Sequence, residues 1–115
     1  MTVSKAIERA DNLRPNPFTQ EEKVKWLSEI EGKIFKEFLS DDFSPIDYSK
    51  DEERELILEE EYQDVYLFYL VAMIDFFSRD YADYNNSMEM FNTAYDKMAK
   101  EKRSGKKGGY YKNIF

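Results

Sequence analysis

Residues 62–79 read YQDVYLFYLVAMIDFFSR and contain the longest uncharged apolar run of the chain, from Val65 to Ile74. That run is about half of the roughly 20 residues that a bilayer-spanning helix needs, so we expect no membrane span. Large side chains recur through it at helical spacing and leave almost no polar face, which is typical of a helix surrounded by other helices. The sequence therefore predicts a central helix with the core positions Val65, Phe68, Tyr69, Ala72, Met73 and Phe76.

A further helix is predicted directly after this one, from about Asp83 to Lys102, beyond a short turn near Asp80. Because the connection is so short, the two helices should form an antiparallel hairpin. The apolar stripe of the second helix consists of Tyr84, Met88, Phe91, Tyr95 and Met98. Residues 104–109, SGKKGG, combine glycine with charge and disfavour helix there. We therefore expect one helical domain over residues 1–103 and a flexible tail over residues 104–115.

Two earlier helices precede the central one. The first is predicted from about Val3 to Asn12, and the prolines at positions 15 and 17 make the next residues an extended connector. The second starts with a capping box, TQEE at residues 19–22, and runs to about Leu39. Its apolar side is predicted to contain Lys23, Trp26, Leu27, Ile30, Ile34 and Phe38. The whole pattern indicates an all-α fold, a small bundle of about four helices.

Residues 40–61 lack a sustained period and include a proline, which indicates a long loop between the second and third helices. Loops of this length in a compact domain more often bind a partner, or are disordered, than simply connect two elements. An extended piece is expected at residues 56–58. Residues 51–60 are also rich in good helix formers, so a short helix there remains an alternative.

Two residues of the second helix have more than one interpretation. Trp26 is most simply a core anchor, because its large ring stabilises an interface between helices. Gly32 would permit a neighbouring helix to pack closely, since glycine lacks a side chain. Both residues could also serve a contact between subunits.

The composition removes most familiar catalytic chemistry. The 115 residues include no cysteine and no histidine, which excludes disulfides, thiolate and imidazole metal sites, and catalysis by these side chains. The 24 acidic residues do not form the Asp-x-Asp-x-Asp-Gly pattern of a calcium loop, and GKKGG at residues 105–109 lacks the order of a phosphate-binding loop. The first residues, MTVSKAIERAD, contain no apolar signal segment. We therefore expect a cytosolic protein that is not an enzyme and holds no cofactor or metal.

The net charge of −7 is distributed unevenly along the chain. Residues 40–64 hold eleven acidic and two basic side chains, whereas residues 96–115 hold seven basic and two acidic ones. Opposite signs at separate places suit a head-to-tail contact in which one subunit's acidic loop meets its neighbour's basic tail. Blocks of like charge are also common on ordinary solvated surfaces, and that interpretation stays open.

Two long segments carry a resemblance to a known group of proteins. Residues 13–34 read LRPNPFTxxEKxxWLxxIEGKI, where x marks any residue. The second segment combines YxDxYxxYLxxMID at residues 62–75 with YNNSxxMFNxAY at residues 84–95. Over about residues 1–98 the chain resembles the head–tail connector, or adaptor, proteins of long-tailed phages and prophages of Gram-positive bacteria.

This resemblance implies a small helical subunit that assembles as a ring on the portal protein and extends the DNA channel toward the tail. Its partners would be further copies of itself, the portal, and another neck or tail-completion protein. DNA would pass through the channel without specific binding, since an acidic lining gains no counterion release. The protein would lie at the head–tail interface of the virion, and in the host cytoplasm before assembly.

Two sets of residues are candidates for these contacts. The basic tail would dock on the portal and become ordered there, through Arg103, Lys106, Lys107, Tyr110, Tyr111 and Phe115. The acidic loop would contact the next subunit through Asp41, Asp42, Asp51, Glu52 and Glu53. The competing class is a small acidic phage-encoded helical binding or regulatory protein whose acidic middle covers a basic partner surface. A connector should form rings, whereas a regulatory protein should stay small and bind one target.

Overall fold

The computed structural model describes residues 1–39 and 42–105, and this part of the chain is all-helical, as the sequence predicts. It contains four α-helices and a short 3₁₀ helix, and no β-strand. The helices are α1 (Val3–Leu13), α2 (Gln20–Phe38), α3 (Gln63–Phe77) and α4 (Tyr81–Arg103), and the 3₁₀ helix is Glu60–Tyr62. No helix among the described residues is long and apolar enough to cross a membrane.

Both N-terminal helices begin where their capping residues predict. The Thr2 hydroxyl accepts a hydrogen bond from the Lys5 amide at 3.2 Å, and the Thr19 hydroxyl accepts one from the Glu22 amide at 3.1 Å. These caps pair amides that have no partner within the helix. The predicted side of α2 is buried along its whole length, and its buried residues include Lys23, Trp26, Leu27, Ile30, Ile34 and Phe38.

Helix α3 lies at the centre of the molecule and contacts α1, α2 and α4. Its buried residues occur on several sides, since Tyr66, Leu70 and Ile74 are almost completely covered, and so are Val65 and Ala72. The most extensive of these contacts is with α4, which confirms the predicted hairpin. Of the predicted core positions, Val65 and Ala72 are buried, whereas Phe68, Tyr69 and Met73 are only partly buried at the edge of the core.

The turn between α3 and α4 is tight. Arg79 lies in it with a φ of 63°. This is a left-handed conformation that non-glycine residues rarely adopt. The Asp80 side chain caps α4 by accepting from the Asp83 amide at 3.2 Å. Helix α4 therefore begins at Tyr81, two residues before the predicted start, and ends at Arg103.

Residues 42–59 form turns and extended backbone and contain no α-helix, so the alternative helix over residues 51–60 is not formed. The segment is held down by backbone hydrogen bonds to the start of the chain: the Val3 amide donates to the Arg54 carbonyl at 3.0 Å, and the Leu56 amide donates to the Met1 carbonyl at 2.9 Å. Leu56 and Leu58 are buried in the core beside α2 and α3. This segment is thus a packed part of the fold.

The side chain that packs against Gly32 is not the one that the sequence suggests. A Cβ atom built at Gly32 would lie 3.1 Å from the ring of Phe43, which belongs to the segment after α2. The ring also packs against Phe35, with centroids 5.3 Å apart. The missing side chain therefore makes room for a loop aromatic, and the expectation of a closely packed helix at this point is wrong.

Candidate functional site

Three large aromatic side chains are exposed together at the end of the α3–α4 hairpin. Phe76, Phe77 and Tyr81 have 41%, 52% and 55% of their surface exposed. The ring centroid of Phe76 lies 5.1 Å from that of Phe77, 5.9 Å from that of Tyr81 and 5.2 Å from that of Tyr84. We call Phe76, Phe77 and Tyr81 the aromatic corner. Clustered, exposed aromatic side chains make the aromatic corner a candidate interaction surface.

A buried aromatic ring supports the aromatic corner. The ring of Trp26 is buried and stacks on Phe77 with centroids 5.3 Å apart and planes 2° apart. Phe18 closes the other side of Trp26 in an edge-to-face contact at 5.5 Å. Trp26 is thus the core anchor that its position in α2 suggests, and it also supports an exposed ring.

The spacing of α3 predicts Phe76 in the core, and the structure corrects that prediction. It lies in the last turn of α3, beside the rings of Phe77, Tyr81 and Tyr84, and 41% of its surface stays exposed there. Periodicity along one helix carries no information about where the neighbouring helices end. The nearby turn residues, Ser78 to Asp80, were the available signal that packing stops there.

Just behind this corner, one buried carboxylate connects three elements. Asp75 of α3 pairs with the Arg14 Nε at 3.2 Å and accepts a hydrogen bond from the Ser87 hydroxyl of α4 at 2.8 Å. Arg14 also reaches Asp83 at 3.1 Å. The pKa of the Asp83 carboxyl is raised, chiefly by its hydrogen bond with Asp80 and by that residue's charge. The cluster links the end of α1 to both helices of the hairpin.

Among the acidic loop residues, one makes side-chain contacts within the chain and others expose their side chains to solvent. The Asp51 carboxylate accepts from the Asp47 amide at 2.8 Å and pairs with Arg54 at 3.5 Å. Glu52 and Glu53 expose their side chains, and so does Asp42, while Asp41 lies outside the described residues. The Glu52 carbonyl accepts from the Ser4 amide at 2.9 Å, which fixes this acidic surface against the start of α1.

Much of the basic charge at the end of α4 is paired within the chain. Lys102 is buried, with its ammonium 3.3 Å from both Glu59 oxygens and 5.2 Å from the Tyr62 ring centroid. Arg103 lies 3.7 Å from Glu37 and stays 61% exposed. The remaining tail candidates, Lys106, Lys107, Tyr110, Tyr111 and Phe115, lie outside the described residues. Of the tail candidates, Arg103 thus has an acidic neighbour within its own chain.

A buried carboxylate also holds residues 42–59, which we call the middle segment. Glu31 of α2 accepts from the Tyr66 hydroxyl at 2.6 Å and from the Ile57 amide at 2.7 Å. The Leu58 amide donates to the same Tyr66 hydroxyl at 3.0 Å. Burial raises the pKa of Glu31, although both hydrogen bonds act in the opposite direction. This network is structural, since it lies within the core.

Two surface grooves among the described residues are relevant to binding. The α3–α4 groove has a volume of about 610 Å³ and lies between Tyr62, Val65 and Phe68 on one side and Met90 and Ala94 on the other. A second groove, of about 800 Å³, lies between α2 and residues 45–48. Across residues 1–39 and 42–105, no group of three or more acidic side chains is arranged to hold a metal ion.

In comparisons with known proteins, no family model matched the chain, and no curated protein and no solved structure matched it either.

Proposed function

We propose that the protein is a structural subunit of a phage head–tail connector, which assembles as a ring on the portal and extends the DNA channel toward the tail. The observation that carries the proposal is the aromatic corner, because exposed Phe and Tyr side chains on rigid helices are typical centres of protein interfaces. The resemblance in residues 13–34 and 62–95 supplies the class of assembly.

A ring requires two different surfaces on each subunit, since heterologous contacts join unlike patches. The aromatic corner supplies an apolar surface, and the exposed carboxylates of Glu52 and Glu53 supply a charged one on the middle segment. Apolar contact provides most of the affinity in such an interface, whereas charge mainly fixes orientation and partner choice. Other copies of the chain, the portal and a further neck protein are the proposed partners.

The test is assembly on the portal protein of the same phage, followed by mass photometry. Tyr81→Glu removes one exposed ring of the aromatic corner, and it suits the fold because a carboxylate is favourable in the first turn of α4. Tyr81→Phe is the matched control, since it keeps the exposed ring at the same position of α4. We expect Tyr81→Glu to weaken assembly at least tenfold and Tyr81→Phe to leave it unchanged.

The two alternative outcomes are equally informative. Equal assembly of both variants would move the contact away from the aromatic corner. Failure of the natural chain to associate with the portal or with itself, under any assembly condition, would overturn the connector proposal.

A second candidate is a small acidic protein that covers a basic surface of one partner. The observation that favours it is the exposure of Glu52, Glu53, Glu55, Glu60 and Glu61 along one stretch of chain. Such a protein would stay monomeric on its own and with the portal. Its binding to a basic partner would weaken steeply as salt rises, because exposed charges are screened.

A further inference from the structure

We infer that the α3–α4 groove is a docking site for the chain's own basic, aromatic segment, residues 106–115, which folds back onto the subunit that carries it. The inference rests on the shape and charge of the groove and on the length of chain that follows α4. It stands independently of the proposed function, because it concerns a contact within one chain.

The floor of the groove is apolar and partly open. Val65 is buried at the bottom, Phe68 is partly exposed, and Met90 exposes 51% of its surface on the α4 side. A Met and a Phe side chain next to each other can adapt to an aromatic or branched apolar anchor. The groove therefore suits a segment with several large apolar side chains.

The rim of the groove is mainly acidic. Glu61 and Asp64 lie on the α3 side, Glu89 lies on the α4 side, and Lys97 is the basic member of the lining. Three carboxylates against one ammonium favour an occupant that carries positive charge next to its apolar anchors.

Residues 106–115 read KKGGYYKNIF and combine large apolar side chains with positive charge. They hold three lysines and no acidic residue, and their large side chains form two pairs, at positions 110–111 and 114–115. The pairs are four residues apart, which spans about 13 Å in an extended chain. The α4 wall runs from Asn86 to Lys97. Its length is about 16 Å at the helical rise per residue, so both pairs fit along it.

The chain is long enough to reach the groove from its own α4. Lys97 lies eight residues before Gly105 in the sequence. That separation is about 12 Å along a helix. Ten extended residues cover about 33 Å, which is more than enough to return.

The chain can also reverse direction where the segment begins. Gly105 has a φ of 70°. This left-handed conformation commonly ends helices and turns the chain away from the helix axis. The segment therefore begins about 12 Å beyond the Lys97 end of the groove, and a reversal there would direct it back along the groove.

The second groove is the natural comparison. It is also lined by acidic residues, including Glu21, Glu22, Glu29 and Asp47. Its walls are α2 and residues 45–48, so it does not begin on the helix from which the segment continues. Charge alone would allow either groove, and connection to α4 favours the first.

The experiment places a nitroxide spin label within the segment of the full-length chain. The sequence has no cysteine, so Asn113→Cys gives a unique attachment point between the two apolar pairs. In ¹⁵N-labelled protein, we expect the relaxation of the Phe68, Met90 and Ala94 amides to increase at least threefold more than that of Val24 and Ser28 in the second groove.

Two charge reversals supply the matched control. Asp64 and Glu21 are both exposed acidic residues in the first turn of a helix, but only Asp64 lies on the rim of the α3–α4 groove. Both Asp64→Lys and Glu21→Lys oppose the helix dipole to a similar extent. We expect Asp64→Lys to reduce the effect at Met90 at least twofold and Glu21→Lys to leave it unchanged.

Three results would overturn the inference. Equal relaxation in both grooves would show that the segment has no preferred site. A stronger effect at Val24 and Ser28 would move the site to the second groove. The same effect in a mixture of spin-labelled chains without ¹⁵N and ¹⁵N chains without a spin label would assign the groove to the segment of a second copy.

Discussion

The carboxylate of Glu31 holds three parts of the chain together at one buried point. Its two oxygens accept from the Tyr66 hydroxyl of α3 and the Ile57 amide of the middle segment, and Glu31 itself belongs to α2. The Tyr66 hydroxyl accepts from the Leu58 amide in turn. Removal of one member leaves buried polar groups without partners, which costs more than the bond itself contributes.

Tyr66→Phe should therefore lower the free energy of unfolding by about 1–3 kcal/mol at neutral pH. The variant leaves the Leu58 amide and one oxygen of Glu31 without their present partner. Urea unfolding measures the loss. Tyr69→Phe is the control, because the Tyr69 hydroxyl only approaches Glu29 at 3.5 Å near the surface. Its expected effect is below about 0.5 kcal/mol.

The loss in Tyr66→Phe should also depend on pH. Burial raises the pKa of Glu31 above its ordinary 4.5, so the folded chain holds this proton more tightly than the unfolded chain. Its contribution to stability is therefore fully present below about pH 4.5 and is lost as the pH rises through the folded-state pKa. Removal of the Tyr66 hydroxyl raises that pKa further. The destabilisation should be greater near pH 7 than near pH 5, and an equal loss at both would contradict the argument.

Gly32 and Phe43 should be energetically coupled. Alanine at a helix interior is favoured over glycine by about 1 kcal/mol. However, a Cβ at Gly32 would meet the Phe43 ring at 3.1 Å. Gly32→Ala should stabilise by about 0.5–1 kcal/mol in a Phe43→Ala background and by less in the natural chain. A double-mutant cycle by urea unfolding measures this coupling, and the same gain in both backgrounds would show that the ring moves freely.

At the scale of elements, the α3–α4 turn is held in a conformation that its sequence does not favour. Arg79 has a φ of 63°, whereas Ser78 before it has a φ of −83°. Arg79→Gly should keep or raise the melting temperature, and Arg79→Val should lower stability by about 1–2 kcal/mol, because a β-branched residue is strained there. Ser78→Val, in an ordinary helical conformation, is the control. A similar loss of stability in both valine variants would show that β-branching causes it, and not the left-handed backbone conformation at Arg79.

Local signals predicted the helices well because those signals are chemical and act over a few residues. The Thr19 hydroxyl and the Glu22 amide lie three positions apart, so the start of α2 could be derived without knowledge of the fold. The prolines after α1 and the apolar spacing of α3 are also signals that depend on residues close together in the sequence. The predicted start of α4 was off by two residues, because the cap at Asp80, a local signal of the same kind, was not used.

Non-local packing explains what the sequence could not provide. Nothing in the order of residues places Phe43 against Gly32, or leaves Phe76 uncovered at the end of a buried stripe. The aromatic corner was missed for the same reason, since exposure depends on where neighbouring helices stop. The acidic and basic candidates were identifiable as charge blocks, but their pairing within the chain, such as that of Lys102 with Glu59, required the fold.

At the scale of the whole molecule, the central position of α3 should make unfolding a single cooperative step. Helix α3 contacts every other α-helix of the described chain, so none can leave without exposing its core side. Trp26 fluorescence, which reports the stack on Phe77, and far-ultraviolet circular dichroism should give the same urea midpoint.

Thr19→Ala provides the control for that prediction. Loss of the cap of α2 costs about 1 kcal/mol and should lower both midpoints together. A fluorescence change at lower urea than the loss of helix would show that the corner around Trp26 opens separately.

The hydrogen bonds between the first residues and residues 52–56 bear on the order in which the chain folds during synthesis. Helix α1 leaves the ribosome first, but its backbone partners, Glu52, Arg54 and Leu56, follow about fifty residues later. The α3–α4 hairpin, by contrast, joins neighbours in sequence and closes only a short loop. Helix α1 must therefore wait with its apolar side uncovered until residues 52–56 and α3 have been made.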